Sequence, residues 1–216
     1  MTPSADGPRR PRMARPERER QILAAAHARF ASRGYAAVTM EEVADAVGVT
    51  KPLLYAYFGN KERLYLACLA RAWEALNTAL QEPLSGSCSD PAAALRGALR
   101  AFFAFLEDHR DRWRLLYDET LPGSGEVAER VAHYRERLAS GQARLIARLA
   151  DPDVVQPPPA AEALAHALLG AAEALARWWL RTEALPAGEA AELLIATIEP
   201  GIRGAIAAVA PAERLP

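Results

Sequence analysis

Lysine is almost missing from this chain. Of 26 basic residues only Lys51 and Lys61 are lysines, which with the abundance of alanine points to a GC-rich coding genome. Cysteine is as scarce: Cys68 and Cys88 lack any metal-ligand or redox spacing, so neither a zinc ribbon nor a disulfide framework is expected. The histidines His27, His109, His133 and His166 are scattered, without a cysteine or carboxylate at ligand spacing, and no metal site is predicted. There is no convincing strand and hence no phosphate loop following one, and Gly123-Ser124-Gly125 lacks the Gly-x-Ser-x-Gly pattern of a nucleophile elbow. Neither catalysis nor a cofactor is expected. Long apolar runs are missing too, because the most apolar segment, residues 160–180, is interrupted by Glu162, His166, Glu173 and Arg177; a membrane span is therefore not expected. No apolar run near the N-terminus resembles a signal peptide, and a reducing cytoplasm is the simplest compartment. Internal repeats are also absent.

What is present suits a protein built from helices. The 216 residues, 51% hydrophobic and 25% charged, can bury one large core or two modest ones. A net charge of -1 does not by itself suggest a nucleic-acid partner, but its distribution does. Residues 1–63 hold 11 basic against 7 acidic residues, a net of +4, and residues 64–216 hold 15 against 20, a net of −5. Phosphate binding by one end of the molecule requires such polarity, since neutralised phosphates release counterions and drive affinity.

The most informative stretch is residues 39–60, TMEEVADAVGVTKPLLYAYFGN. Thr39 is placed to cap a helix with Glu42 returning the bond, and Val38 and Val43 occupy the staple positions. Met40, Val43, Ala44 and Val47 then share one helical face. Gly48 supplies the left-handed turn, Thr50 caps a second helix, and Pro52 sits in its first turn, where a missing N–H breaks no intrahelical bond. At roughly 100° per residue, Leu54 and Phe58 anchor this second helix, Ala56 lies nearly opposite, and Tyr55 and Tyr57 flank it. The pattern predicts a helix-turn-helix whose second helix enters a groove, with its first turn facing base edges and a phenol near each groove wall. Alternatively the two tyrosines complete a core.

The run GVTKPLLYAYFGNKERL resembles the recognition helix and following helix start of the tetracycline-repressor (TetR) family of bacterial transcription regulators. The Gly-Val-Thr turn, the Leu-Tyr-x-Tyr-Phe segment and the Asn-Lys-Glu helix start match in order and spacing. The motif resemblance covers about residues 15–69, and beyond it length and helical layout agree. It implies a homodimer in which a small DNA-binding domain joins a larger helical domain that binds an effector and dimerises.

Taken in order, residues 1–16 read as a Pro-rich basic arm carrying Arg9, Arg10, Arg12 and Arg15, either grasping DNA or simply solvated, with Met13 an alternative start. Residues 17–63 read as the three-helix DNA-binding domain, its first helix carrying Ile22, Leu23, Ala26 and Phe30 and stopping at Gly34. Residues 64–216 read as the effector-binding and dimerisation domain. Asn60 caps a connecting helix that Pro83 is expected to end, before a small-residue linker over residues 84–89. Asp90 and Pro91 start a fifth helix, with Leu95, Leu99, Phe102, Phe103 and Leu106 on its core face. Shorter and longer helices follow over residues 111–117, 126–150, 160–181 and 187–210, with a Pro-rich loop over 151–159 and an interruption expected at Pro200-Gly201. The expectation is an all-α protein of about nine helices.

For this regulator reading, base-edge contacts fall to Lys51, Pro52 and Leu53, and phosphate contacts to Tyr55, Tyr57, Lys61 and the Thr39 helix start. The aromatic-rich second domain offers Phe103, Leu106, Trp113, Tyr117, Tyr134 and Trp178 for an apolar effector cavity, or simply for the core. Trp178 and Trp179 cannot face one way on a helix. The stripe Ala163, Ala167, Gly170, Ala171 and Ala174 suits a close helix approach, either in a dimer bundle or within one subunit. Expected partners are a near-palindromic double-stranded operator, a small apolar or amphipathic effector and a second copy of the chain. Two competing classes remain: a helical small-molecule binder or enzyme that does not act on DNA, and a module docking an acidic protein.

Overall fold

Helix α1 (Arg15–Ala37) buries Ile22, Leu23, Ala26 and Phe30, the face that its apolar spacing predicts, and Gly34 breaks its geometry at φ 78°, ψ 165°. The computed structural model describes residues 13–86, 90–117 and 120–209. The arm residues 1–12 and Cys88 lie outside them. After α1 come α2 (Met40–Val47), α3 (Lys51–Phe58), α4 (Lys61–Gly86), α5 (Pro91–Asp108), α6 (Arg110–Leu116), α7 (Glu126–Ala150), α8 (Pro159–Thr182) and α9 (Ala187–Val209). The described residues thus form nine helices and no strand, the all-α fold expected. No helix among them is long and apolar enough to cross a membrane.

Helix α4 joins the two ends of the molecule. Asn60 Oδ1 accepts the Arg63 N–H at 2.8 Å to start it, and Leu64, Tyr65, Cys68, Leu69, Ala72, Trp73 and Leu76 are all buried along it. It packs on α1, α5, α6 and α7, so one contiguous apolar core runs from the small N-terminal head into the larger bundle. Two polar contacts add to this seam: the Tyr65 hydroxyl donates to Leu115 O at 2.7 Å, and the Ala36 N–H donates to Thr120 Oγ1 at 3.2 Å. Burial pushes the Cys68 thiol up to about 12, so the thiolate required for reactivity is not populated at neutral pH.

Proline punctuates less sharply than its sequence position suggests. Helix α4 passes Pro83 and ends at Gly86, taking in part of the expected linker. The lost i→i−4 bond falls in the last turns, and the ring packs against α5 at Gly97, where an added Cβ would lie 2.9 Å from Pro83 Cβ. Likewise α9 runs through Pro200, which is exposed, so the carbonyl it leaves without an N–H partner belongs to the solvent side of the helix. At α8 the proline expected to close the preceding loop, Pro159, is instead the first helical residue, where it disrupts no bond.

The small-residue stripe of α8 points away from the subunit. Ala163, Ala167, Gly170 and Ala174 are exposed and Ala171 is half-buried, and a Cβ added at Gly170 would meet nothing within 4 Å. Close packing inside one subunit is therefore not its role. On α9, Leu193 is 55% exposed, beside exposed Ala196 and Thr197.

Candidate nucleic-acid interface and effector cavity

Both helix starts of the helix-turn-helix are built as the sequence proposes. The Glu42 N–H donates to Thr39 Oγ1 at 3.2 Å and the Thr39 N–H donates to Glu42 Oε2 at 2.8 Å, a complete capping box. Gly48 adopts φ 65°, ψ 37°, the left-handed conformation that lets its N–H bond back into α2. Thr50 Oγ1 accepts from Leu53 N–H at 3.4 Å, starting α3. Leu54 and Phe58 are buried, and this fixes the rotation of α3 about its axis. The same rotation leaves Lys51, Pro52, Leu53, Tyr55 and Ala56 facing solvent, with Leu53 at 40% and Tyr55 at 42% exposure.

Electrostatics holds the head together from behind. Arg33 hydrogen-bonds the Glu42 carboxylate, and Arg29 Nε donates to Glu42 O at 2.9 Å, tying α1 to α2. The Arg33 and Thr39 hydrogen bonds lower the Glu42 pKa to about 2. A folded pKa below the unfolded one contributes stability that is fully present above about pH 4.5 and is lost as pH falls through about 2. Protection factors at α2, exchange corrected for its intrinsic pH dependence, should therefore fall on acidification across that window. Arg33→Gln should flatten the response, and an unchanged profile in that variant would remove Arg33 as its cause.

The remaining sequence candidates differ in their freedom. Lys51 Nζ lies 3.5 Å from Glu41 Oε2 between two exposed side chains, a pair of little net worth and readily exchanged. Tyr57 is half-buried, stacked near Phe58, with the Arg15 guanidinium 5.4 Å from its ring centroid. That contact, for which spacing gave no signal, sets the start of α1 beside the recognition helix. Lys61 already has partners: its ammonium donates to Ala36 O at 3.1 Å and lies 4.5 Å from the Tyr35 ring centroid. Desolvation lowers its pKa.

The larger bundle holds a partly open cavity of about 370 Å³ between α4, α5, α7 and α8. Its apolar wall includes Trp73, Leu95, Leu99, Phe102, Leu169 and Ala172, and its polar wall is largely α7, with His133, Arg137, Ser140, Gln142 and Arg144. Of the six cavity residues expected from sequence, Tyr117 alone lines it. Phe103, Leu106 and Trp113 are core residues behind the wall, each buried to 2% exposure or less. Tyr134 stacks on Trp73 at 4.6 Å and backs the wall rather than forming it. Trp178 faces outward at 37% exposure, whereas Trp179 turns inward and donates Nε1–H to Leu185 O at 2.8 Å. Aromaticity selected the residues of greatest core burial; the wall follows the less apolar faces of α4 and α7.

Behind Tyr117 sits the one buried charged group among the described residues, Glu173 on α8. It accepts from Tyr117 OH at 2.7 Å, from Arg135 Nε at 3.0 Å and from Arg135 Nη2 at 2.5 Å. Every contact is charge-assisted, so the carboxylate is accommodated in an apolar layer. Burial and the neighbouring Glu173 charge push the Tyr117 pKa up, and the phenol stays a proton donor at all working pH. Tyr117 thereby joins cavity, α6 and α8.

Comparison with known proteins agrees with this geometry. The profile described as "Bacterial regulatory proteins, tetR family" matches residues 22–68, and that described as "Tetracyclin repressor-like, C-terminal domain" matches residues 91–199. The chain is 34% identical over 181 residues to the HTH-type transcriptional activator FasR of Mycolicibacterium smegmatis, covering 84% of this chain and 80% of that one. Among solved structures, a TetR-like transcriptional regulator from Rhodococcus sp. RHA1 superposes with a TM-score of 0.75 at 31% identity, covering 89% of this chain and all of the other. AibR, solved with isovaleryl coenzyme A and operator DNA, shares the fold at a TM-score of 0.71 and 21% identity, over 85% of this chain and 99% of its own. These relatives are regulators, not enzymes.

Proposed function

Since this chain belongs to the TetR family of bacterial regulatory proteins, we propose that it is a dimeric, one-component repressor that binds a near-palindromic operator and is released by a small apolar or amphipathic effector. The observation that carries the DNA side is the surface of α3: a doubly capped helix, anchored by Leu54 and Phe58, presents Lys51, Pro52, Leu53 and Tyr55 with no protein covering them. Residues 17–63 serve as the DNA-reading unit and residues 64–216 as the effector-binding and dimerising unit. Lys51, Pro52 and Leu53 meet base edges, Lys51 suiting guanine acceptors and Leu53 a thymine methyl. Tyr55, Tyr57 and the Thr39 helix start meet phosphates, and Lys61 joins them through the donors that Ala36 leaves unused.

Dimerisation is supported by the outward small-residue stripe of α8 and by the exposed Leu193 of α9, each open to a second copy. Two recognition helices related by a two-fold axis then reach half-sites about 34–36 Å apart, or a multiple of that spacing. An effector in the cavity touches α4 through Trp73, and α4 begins directly after the recognition helix; release requires that the effector prefer the dimer in which α4 is wrongly placed for DNA. Repression needs only occupancy of a promoter. The name of the M. smegmatis relative favours activation as the second reading, which needs in addition a surface that recruits polymerase.

Paired substitutions test the contact assignment. Lys51→Ala should relax preference at one base position, worth about 1–3 kcal/mol of discrimination, and Tyr57→Phe should weaken all duplexes about equally. Binding titrations on the operator and its single-base variants separate the two. Uniform loss for both substitutions would sink the assignment of Lys51 to a base.

A further inference from the structure

Two cations on the cavity wall have no anionic partner among the described residues. His133, Arg137, Gly141 and Arg144 line the cavity from α7 at helical spacing, so they occupy one face. The Arg137 guanidinium lies 5.3 Å from the Trp73 ring centroid, over the apolar floor, and Arg144 reaches back across Gly141, its Nη2 3.9 Å from where a Cβ at that position would stand. Neither guanidinium pairs with a carboxylate among the described residues, although ion pairs are frequent elsewhere on this surface. The acidic residue on the same wall, Glu136, is directed elsewhere: it accepts from Ser140 Oγ at 3.3 Å and lies 3.8 Å from His166 Nε2. On the same helix Gln142 Oε1 is shielded from solvent with no hydrogen-bond partner.

We propose that the effector is an anionic amphipath, with its apolar body on Trp73, Leu99 and Phe102 and a carboxylate or phosphate head held by Arg137 and Arg144. This rests on the regulator reading, which makes the cavity an effector site, and adds the charge of the molecule that fills it. Each guanidinium matches the planar, bidentate geometry of either head group, and the Trp73 ring under Arg137 sets apolar surface next to that charge. A neutral ligand leaves both cations without a partner, and a cationic one is repelled. The volume, about 370 Å³, lies at the small end of the range for such sites and limits the apolar body to a short chain or compact ring system.

Calorimetric titration of the full-length protein without DNA tests this, using decanoate, decyl phosphate, decanol and decyltrimethylammonium below their aggregation limits. Both anions are expected to bind, with decanol at least about tenfold weaker and the ammonium not binding; the order of the two anions identifies the head group. R137Q/R144Q is expected to lower anion affinity by about tenfold or more and to leave decanol unchanged. Both side chains are exposed, so the variant should melt like the parent. Equal binding of decanol and decanoate, anion preference persisting in the double variant, or no binding by any probe would overturn the proposal. A mobility-shift assay run in parallel keeps the two readings separate: no DNA binding with or without the anions, while anion preference is intact, would fell the regulator reading alone.

Discussion

Leu54→Ala should destabilise the DNA-binding head by about 2–5 kcal/mol and abolish operator binding while leaving effector binding largely intact. Leu54 is fully buried on α3, a helix of only eight residues that cannot hold itself together in water. Its orientation rests on two side chains, Leu54 and Phe58, and truncating the deeper one leaves a void that eight residues cannot collapse to fill. On the proposed contacts bases are read from the opposite side, so a small rotation of α3 would displace Lys51 and Leu53 from their targets. The checks are amide exchange in α2 and α3 alongside operator titration. Full DNA affinity in a Leu54→Ala protein would mean that the head is positioned by something other than this anchor.

Arg135→Ala should lower global stability by about 3 kcal/mol, the low end for breaking a buried ion pair, since half of the Arg135 side chain is in solvent. What makes the change severe is the partner left behind. Glu173 is 2% exposed, and without Arg135 the Tyr117 hydroxyl would be its only hydrogen-bond donor. The double substitution Arg135→Ala/Glu173→Gln should recover much of the loss, because it removes the stranded charge along with its partner. Urea melts of the two single variants and the double variant measure the coupling. Simple additivity would show that the carboxylate is accommodated without the guanidinium.

The sequence disclosed the N-terminal head more fully than the larger bundle, and the difference is one of range. A capping box, a left-handed glycine and an N-cap threonine act over three or four residues, so Thr39, Gly48 and Thr50 could be assigned from spacing alone, and each is found in that role. The rotation of α3 followed from the same local periodicity. The cavity is set by four helices from distant parts of the chain, and periodicity tells which face is apolar but not which apolar face meets a void. Trp113 and Phe103 stand out in the sequence as aromatics, and large aromatics are what a core buries most deeply. Pro83 and Pro200 show another limit: a proline near a helix end or on an exposed face removes one bond without ending the helix.

The central claim is that two copies of α3 read a two-fold operator. Selecting fragments of source-genome DNA on the purified protein, then titrating the best fragment and a scrambled duplex with salt, tests it most directly. The account predicts enrichment of a near-palindrome, with affinity falling steeply as salt rises and clear discrimination over the scrambled duplex. A folded protein that retains no fragment over the scrambled duplex even at low salt, with and without the anionic amphipaths, would contradict it.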